Sequence, residues 1–553
     1  MCAYVLGYFS GHCLRNKPQI NQLTKQKRHK SHRPSCPRLI TMKELPFDQK
    51  AVSSIISQTS DNPLMQVVVL FLFLSSHVLG APEWLEVTNL PNLKFTPKFK
   101  QYSGYLPVSN NNQLFYWMAM AYENSSTAPT FLYLNGGPGC SSLQGMLLEM
   151  GPFRVYDYGD TVVENPYAWN RFANVLFIDS PAGVGFSINP KKNYSFTDSQ
   201  VAADNHAALK YFFNNYFPEL KNNDFYIGGE SYAGYYIPML AKVLLQDPDF
   251  PTFKGYMVGN GCLNDKLLVN SAVQYNYNHA FIDERYYRNA VEKCCDGKSG
   301  EVCDWHKFVY LDPSQKCSNE SNYLYMANFY TGLDPYFLYY SCYLDQPNGT
   351  NPLSNMIQRR NRRPPLGRTS VDNMISHLKR RINKSDPNQT NPLPACSHYD
   401  DIVYWLNRDD VKRALHVPLL IQDYATCSRV VEEHYITEID DVTPYVMFAI
   451  NSKKLKRLLF FNGDVDSVCN VVHNFQFVSN LNLSLTQPAT PWNFNEDLPS
   501  TAGLHTAYQG VDFLTVRGGG HFPASSAQKP REALQMFFNF INGTDYSNPI
   551  PSK

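Results

Sequence analysis

Short apolar runs, each about the length of a buried strand, recur along this 553-residue chain and end in glycine or polar turns. Residues 129–135 read Pro-Thr-Phe-Leu-Tyr-Leu-Asn and stop at Gly136-Gly137-Pro138-Gly139. Residues 173–178 (A-N-V-L-F-I) run into Asp179-Ser180-Pro181-Ala182-Gly183-Val184-Gly185. Residues 224–227 run into Gly228-Gly229, and 256–259 form a fourth run. A fifth and a sixth, 458–461 and 513–516, stand far downstream. Helical patterns lie between them, for example at 197–217 and 235–245. Strands alternating with helices predict an α/β fold, with a mostly parallel central sheet covered by helices on both faces.

Residues 266–425 break this rhythm. They hold most of the later cysteines, many tyrosines and few clean strands, and they read as an insertion between the fourth and fifth strands. Within it, residues 355–384 carry nine Lys+Arg and one Asp. A solvated loop is one reading of such a basic segment, and a linker excised at its basic clusters is the other. The predicted organisation is therefore a first core part at 81–265, an insertion at 266–425 and a second core part at 426–553.

The first eighty residues read as an address. The strongest apolar run, 67–74, is too short to span a bilayer comfortably, and Val78-Leu79-Gly80 gives a small-residue cleavage pattern with Ala81 as the mature start. Met65 stands just before the run, so 65–80 is read as a signal peptide and 1–64 as a basic upstream extension. The competing reading is a membrane anchor with a basic cytosolic tail. No stretch of about 18 unbroken apolar residues appears, which excludes a polytopic membrane protein and predicts no stable membrane insertion.

Charge sharpens this division. The chain has 49 Lys+Arg and 48 Asp+Glu, but residues 1–80 carry a net +7 and the remainder a net −6. The bulk of the chain is thus not a nucleic-acid binder by its field. Eight Asn-x-Ser/Thr sequons occur, at Asn124, Asn193, Asn319, Asn348, Asn383, Asn388, Asn482 and Asn542, and none precedes the apolar run. Ten of the 13 cysteines also follow it. In an oxidising lumen these read as bridges, and no paired C-x-x-C or H-E-x-x-H spacing argues for a metal. A secretory route, lysosomal or extracellular, is expected.

Gly229-Glu230-Ser231-Tyr232-Ala233-Gly234 follows a predicted strand and precedes a predicted helix. It is a nucleophile-elbow pattern, with small residues where the strained strand-to-helix turn needs them and Ser231 projecting from the sheet. A serine hydroxyl needs a base to attack a carbonyl, and the base needs a carboxylate to fix its tautomer. Asp464 and Asp466 follow the fifth strand in Asn462-Gly463-Asp464-Val465-Asp466, and His521 follows the sixth in Gly518-Gly519-Gly520-His521. The order Ser, Asp, His at strand ends is that of an α/β-hydrolase. The N–H of Tyr232 and one from Gly136 or Gly137 are the candidate donors to an oxyanion.

The segments N-G-G-P-G-C-S-S (135–142), N-P-Y-A-W-N (165–170), D-S-P-A-G-V-G-F-S (179–187), G-E-S-Y-A-G (229–234) and N-G-D-V-D (462–466) resemble the serine carboxypeptidase family, its lysosomal members above all. The resemblance covers roughly residues 85–545. It implies an α/β-hydrolase fold with a helical cap, and release of C-terminal amino acids from peptide or protein substrates without a cofactor. It selects Ser231 as nucleophile, His521 as base and acid, Asp466 over Asp464 as orienter, and Gly137 with Tyr232 as oxyanion donors. It also implies that Asn135, Gly136, Glu149 and Glu230 grip the substrate's terminal carboxylate. Two neighbouring carboxyls cannot both ionise cheaply, so one stays protonated and donates to the substrate, which favours acidic pH. The same resemblance pairs Cys140 with Cys427, Cys294 with Cys317, Cys295 with Cys303 and Cys342 with Cys396. It makes Cys469 a free thiol and leaves Cys262 without a partner. The chain departs from the family at residues 522–530, after His521, which leaves the leaving-residue side of the pocket open.

Three further readings stand beside the carboxypeptidase. An acyltransferase on the same triad would have relaxed end-recognition residues, a stabilising partner protein with secondary hydrolase activity can coexist with catalysis and only a purely structural one would have lost its triad, and an ordinary esterase would lack the paired glutamates. Oligomeric state, including a homodimer, is left open by the sequence.

Overall fold

The computed structural model describes residues 82–551 apart from 310, 313, 332, 341–399 and 495–498. The upstream extension, the signal peptide, the basic run at 355–384, the Cys342–Cys396 pair, and Asn348, Asn383 and Asn388 lie outside the described residues.

Twelve strands are formed among the described residues: β1 (Gln101–Pro107), β2 (Gln113–Ala119), β3 (Thr130–Leu134), β4 (Phe153–Tyr156), β5 (Thr161–Glu164), β6 (Asn174–Ile178), β7 (Phe225–Ser231), β8 (Phe253–Gly261), β9 (Arg457–Gly463), β10 (Leu485–Phe494), β11 (Ser500–Tyr508) and β12 (Val511–Val516). Ten of them make one sheet in the order β1-β2-β6-β3-β7-β8-β9-β12-β11-β10, while β4 and β5 pair separately. The six strands expected from the apolar runs are β3, β6, β7, β8, β9 and β12. They form the continuous parallel centre. The flanks are antiparallel.

The parallel strands are buried on both faces, so both faces of each run are apolar. Leu132, Leu134, Leu176, Ile178 and Ile227 point to one core. Their neighbours Phe131, Tyr133, Val175, Phe177 and Tyr226 point to the other. On the first face lie the helices Asp198–Tyr211, Ala233–Gln246 and Thr443–Ser452, which contribute Leu209, Leu240, Leu244, Val446 and Ala449. On the second lies Pro530–Asn542, whose Phe537 stacks on Trp169 with ring centres 4.2 Å apart. The helix expected at 197–217 starts where Thr197 caps it, accepting the N–H of Gln200, and widens into a π-turn at Phe212–Tyr216.

The elements described between β8 and β9 are helices, among them Asp265–Asn278, Glu284–Cys294 and Ser318–Met326. The first part of this insertion has its own core around Trp305, Leu324 and Val269, stapled by Cys294–Cys317 and Cys295–Cys303. Cys140 is bonded to Cys427. Cys469 is not a free thiol: it is bonded to Cys262. Cys262 directly follows β8 and Cys469 lies in the loop after β9, and parallel pairing of those strands brings their ends together.

Candidate active site

Strands β7, β8, β9 and β12 are neighbours and all end on the same edge, so whatever follows each of them is gathered in one place. Ser231 is the last residue of β7, and the helix Ala233–Gln246 begins two residues later. Its φ of +60° lies in the left-handed region that L residues avoid, the mark of a strained strand-to-helix elbow. Gly136, in the turn after β3, comes so close that a Cβ there would lie 2.5 Å from the Tyr232 nitrogen and 2.8 Å from the Ser231 Cβ. Only glycine permits that approach. Gly137 follows with φ +120°, again a glycine conformation.

Asp466 is fully buried in the loop after β9. Its Oδ2 accepts from His521 Nδ1 at 2.7 Å and from Asn260 Nδ2 at 3.0 Å, and its Oδ1 accepts the N–H of Val468 at 2.8 Å. Asp464 goes elsewhere: its Oδ1 accepts the N–H of Gly518 at 2.6 Å and so ties down the glycine loop that precedes the histidine. His521 is 1% exposed, donates its backbone N–H to the Tyr336 carbonyl at 2.7 Å, and is wedged between the rings of Tyr336 and Phe522. With Nδ1 engaged by Asp466, its Nε2 has no hydrogen-bond partner among the described residues. Ser231 pairs across β8 with Gly261, and Asn260, the residue before it, reaches Asp466. The serine and the Asp–His pair are therefore one strand apart.

Four side chains meet beside the serine. Asn135 Nδ2 donates to Glu149 Oε1 at 2.9 Å and to Glu230 Oε1, and its Oδ1 accepts the N–H of Gly145 at 3.0 Å. Tyr133 Oη donates to Glu230 Oε2 at 2.6 Å and lies 3.4 Å from Glu149 Oε2. Both glutamates are buried, at 2% and 3% exposure. Burial raises both carboxyls above their ordinary range, Glu230 well above it because the charge of Glu149 adds to burial. Two buried carboxyls that share the donors Asn135 and Tyr133 cannot both ionise cheaply, so the pair holds a proton.

A cavity of about 380 Å³ opens from Glu149 past Tyr336 and Phe337 to Phe522 and the segment 525–528. The stretch that departs from the family pattern is thus part of its wall. Asp334, from the helical insertion, lines it too, and burial pushes this carboxyl up to about 6.

The serine carboxypeptidase family model matches residues 91–543. The chain belongs to the serine carboxypeptidase family. A serine carboxypeptidase of Caenorhabditis elegans, ctsa-4.1, is 39% identical over 87% of this chain and 98% of its own length. The lysosomal protective protein of Mus musculus is 34% identical over 88% of this chain and 99% of its own length. Among solved structures, Kex1Δp, a prohormone-processing carboxypeptidase of Saccharomyces cerevisiae, matches with a TM-score of 0.58 and 20% identity over 83% of this chain and 95% of its own. That likeness shows the α/β-hydrolase fold alone.

Sequence reasoning missed Tyr133, Asn260 and Tyr336. Asn260 stands as a polar residue between Gly259 and Gly261 at the end of an apolar run, a signal that was available. Tyr133 is indistinguishable in sequence from its apolar strand neighbours, and Tyr336 comes from the insertion, whose approach to His521 no spacing announces. Among the described residues, the group of metal-ligand type is Cys140, Cys427 and Glu432, whose two sulfurs are bonded to each other.

Proposed function

We propose that this serine carboxypeptidase releases C-terminal residues through an acyl-enzyme formed on Ser231. His521 Nε2 takes the serine proton as Oγ attacks the scissile carbonyl, and then gives it to the leaving amine. Asp466 holds Nδ1–H and stabilises the imidazolium. The N–H groups of Tyr232 and Gly137 receive the developing oxyanion. Water repeats the attack on the ester and frees Ser231. Asn135, Gly136, Glu149 and Glu230 hold the terminal carboxylate of the substrate, with the shared proton of the glutamate pair as the donor to it.

The observation that carries the reading is the buried carboxyl pair itself, one member of which immediately precedes the serine. A carboxyl pair that keeps a proton can donate it in a hydrogen bond to a carboxylate, and one that has lost it repels the carboxylate, so affinity falls as pH rises. An esterase has no use for such a pair. The test offers blocked dipeptides with free and with amidated C-termini at acidic pH. Preference for the free carboxylate supports the reading, and equal turnover of both refutes it.

The same proposal places the protein in the secretory pathway, lysosomal or extracellular. Each described sequon asparagine, Asn124, Asn193, Asn319, Asn482 and Asn542, is exposed, as an acceptor of bulky glycan must be. The four cystine bridges among the described residues suit an oxidising lumen. Among the described residues no helix is long and apolar enough to cross a membrane. Digestion of the secreted or lysosomal protein with an N-glycosidase should lower its mass, and an unchanged mass contradicts the routing.

A further inference from the structure

Beside the carboxyl pair stands a cation that the proposed reaction does not use. Arg154, on β4, is 4% exposed and makes no ion pair among the described residues. Its Nη1 donates to the Phe153 carbonyl at 3.0 Å and its Nη2 to the carbonyl of Glu149, while its Nε has no partner. Asn165 Nδ2 donates to the same Glu149 carbonyl at 3.2 Å. Glu149 needs this hold. It leaves the helix Leu143–Leu148 at φ −120° and ψ −102°, outside the helical region, and its carboxyl must still turn back to meet Asn135 and Glu230.

Charge gives the arginine a second part. A guanidinium stays protonated even when burial lowers it, here to about 10. In a poorly screened interior its field favours negative charge on the nearer carboxyl. The groups that face Glu149 are Glu230 from β7, Tyr133 from β3, Asn135 from the turn after it, His521 from the loop after β12, and Arg154. Asp334, from the insertion, lines the same cavity. Arg154 is the one fixed positive charge in that set. When a substrate carboxylate joins a singly protonated pair, two negative charges are buried together, and Arg154 offsets one of them.

We propose that Arg154 is a positioning residue of the carboxylate grip, pinning the backbone of Glu149 and, by its charge, keeping the ionised member of the pair at Glu149 and the proton on Glu230. Glu230 is then the group that donates to the substrate's chain end. This rests on reading Glu149 and Glu230 as the grip. The guanidinium is bonded to the backbone of Glu149 itself, so its charge acts first on that carboxyl.

The test is the pH dependence of KM for a peptide with a free C-terminus and for its amide, with active enzyme counted by titration with a serine-reactive phosphonate. Removing the positive charge strengthens proton binding by the pair. In Arg154→Gln and Arg154→Met the rise of KM with pH for the free acid should therefore move up by about one pH unit. Arg154→Lys, which keeps the charge, should leave the midpoint where it is in the wild type. A KM raised equally at every pH, with the midpoint unmoved in the neutral variants, would reduce Arg154 to a structural support and overturn the proposal. A wild type whose KM for acid and amide shows no pH-dependent difference overturns the grip, and this inference with it. An independent check leaves Arg154 in place: Glu230→Gln, which mimics the neutral acid, should keep more affinity for the free acid than Glu149→Gln does, and the reverse order contradicts the assignment.

Discussion

At Ser231 the chain is held in a conformation that costs an L residue about 1–2 kcal/mol. Glycine at that position would relieve the strain and give back only about 0.5–1 kcal/mol in chain entropy. Ser231→Gly should thus unfold at higher denaturant than the wild type while losing all reaction with serine-directed phosphonates. Lower stability would show that the elbow is unstrained. The two aspartates of the N-G-D-V-D segment separate in the same way. Asp466→Asn keeps the packing but lets the histidine adopt the wrong tautomer, so kcat should fall by roughly four orders of magnitude. Asp464→Asn, whose side chain bonds the Gly518 turn and not the histidine ring, should cost far less, and a comparable loss would reverse the assignment. Sequence alone offered both aspartates. The choice between them is a matter of which one the turn after β9 aims at the imidazole. Arg154 shows the opposite limit: nothing in its spacing marks an arginine of a short surface-like hairpin as buried against Glu149.

The six central strands were legible because burial on both faces writes an uninterrupted apolar run. The flanking strands were not. β10 is mostly exposed along its length and carries Pro488 and Pro491, so neither apolar continuity nor alternation marks it. The close of β8 was obscured by the residues that make it useful, Gly259-Asn260-Gly261, where a small backbone lets Asn260 reach Gly463 and Asp466. The Cys262–Cys469 bond was missed for a related reason, since it depends on the pairing of β8 with β9 rather than on sequence spacing. Among the described bridges, Cys140–Cys427 closes the longest loop, 287 residues apart, and holds the turn containing Gly136 and Gly137 to the segment before the helix Arg429–His434. Replacing both cysteines by alanine should lower the unfolding free energy by about 2–4 kcal/mol in denaturant titrations. It should also weaken turnover through the loosened glycine turn. A variant of wild-type stability would mean that the bridge constrains neither state.

For the whole molecule, pH acts on stability and on activity in the same direction. Burial raises Asp179 and Asp334 to about 6 and raises Glu149 and Glu230 as well. Each of these binds a proton more tightly in the folded state than in the unfolded chain, so each costs stability as pH rises through its folded value. His473 opposes them. Burial lowers it to about 3, so below its unfolded value it costs stability as the unfolded chain takes up the proton. Burial raises Asp198, Asp204 and Asp464 as well, so the raised carboxyls outweigh the one imidazole, and thermal unfolding should occur at higher temperature at mildly acidic than at neutral pH. The reverse order would mean that the buried carboxyls ionise freely. The α/β-hydrolase frame could be read from the chain, but this balance could not, because it depends on which carboxyls the fold hides. The central claim is that a proton shared by Glu149 and Glu230 recognises the end of a peptide. It is tested most directly by the KM for a free-carboxylate peptide as a function of pH, in the wild type and in the Glu149→Gln, Glu230→Gln double variant. The wild-type KM should climb as pH rises and that of the variant should stay flat, whereas superimposable profiles would contradict the account.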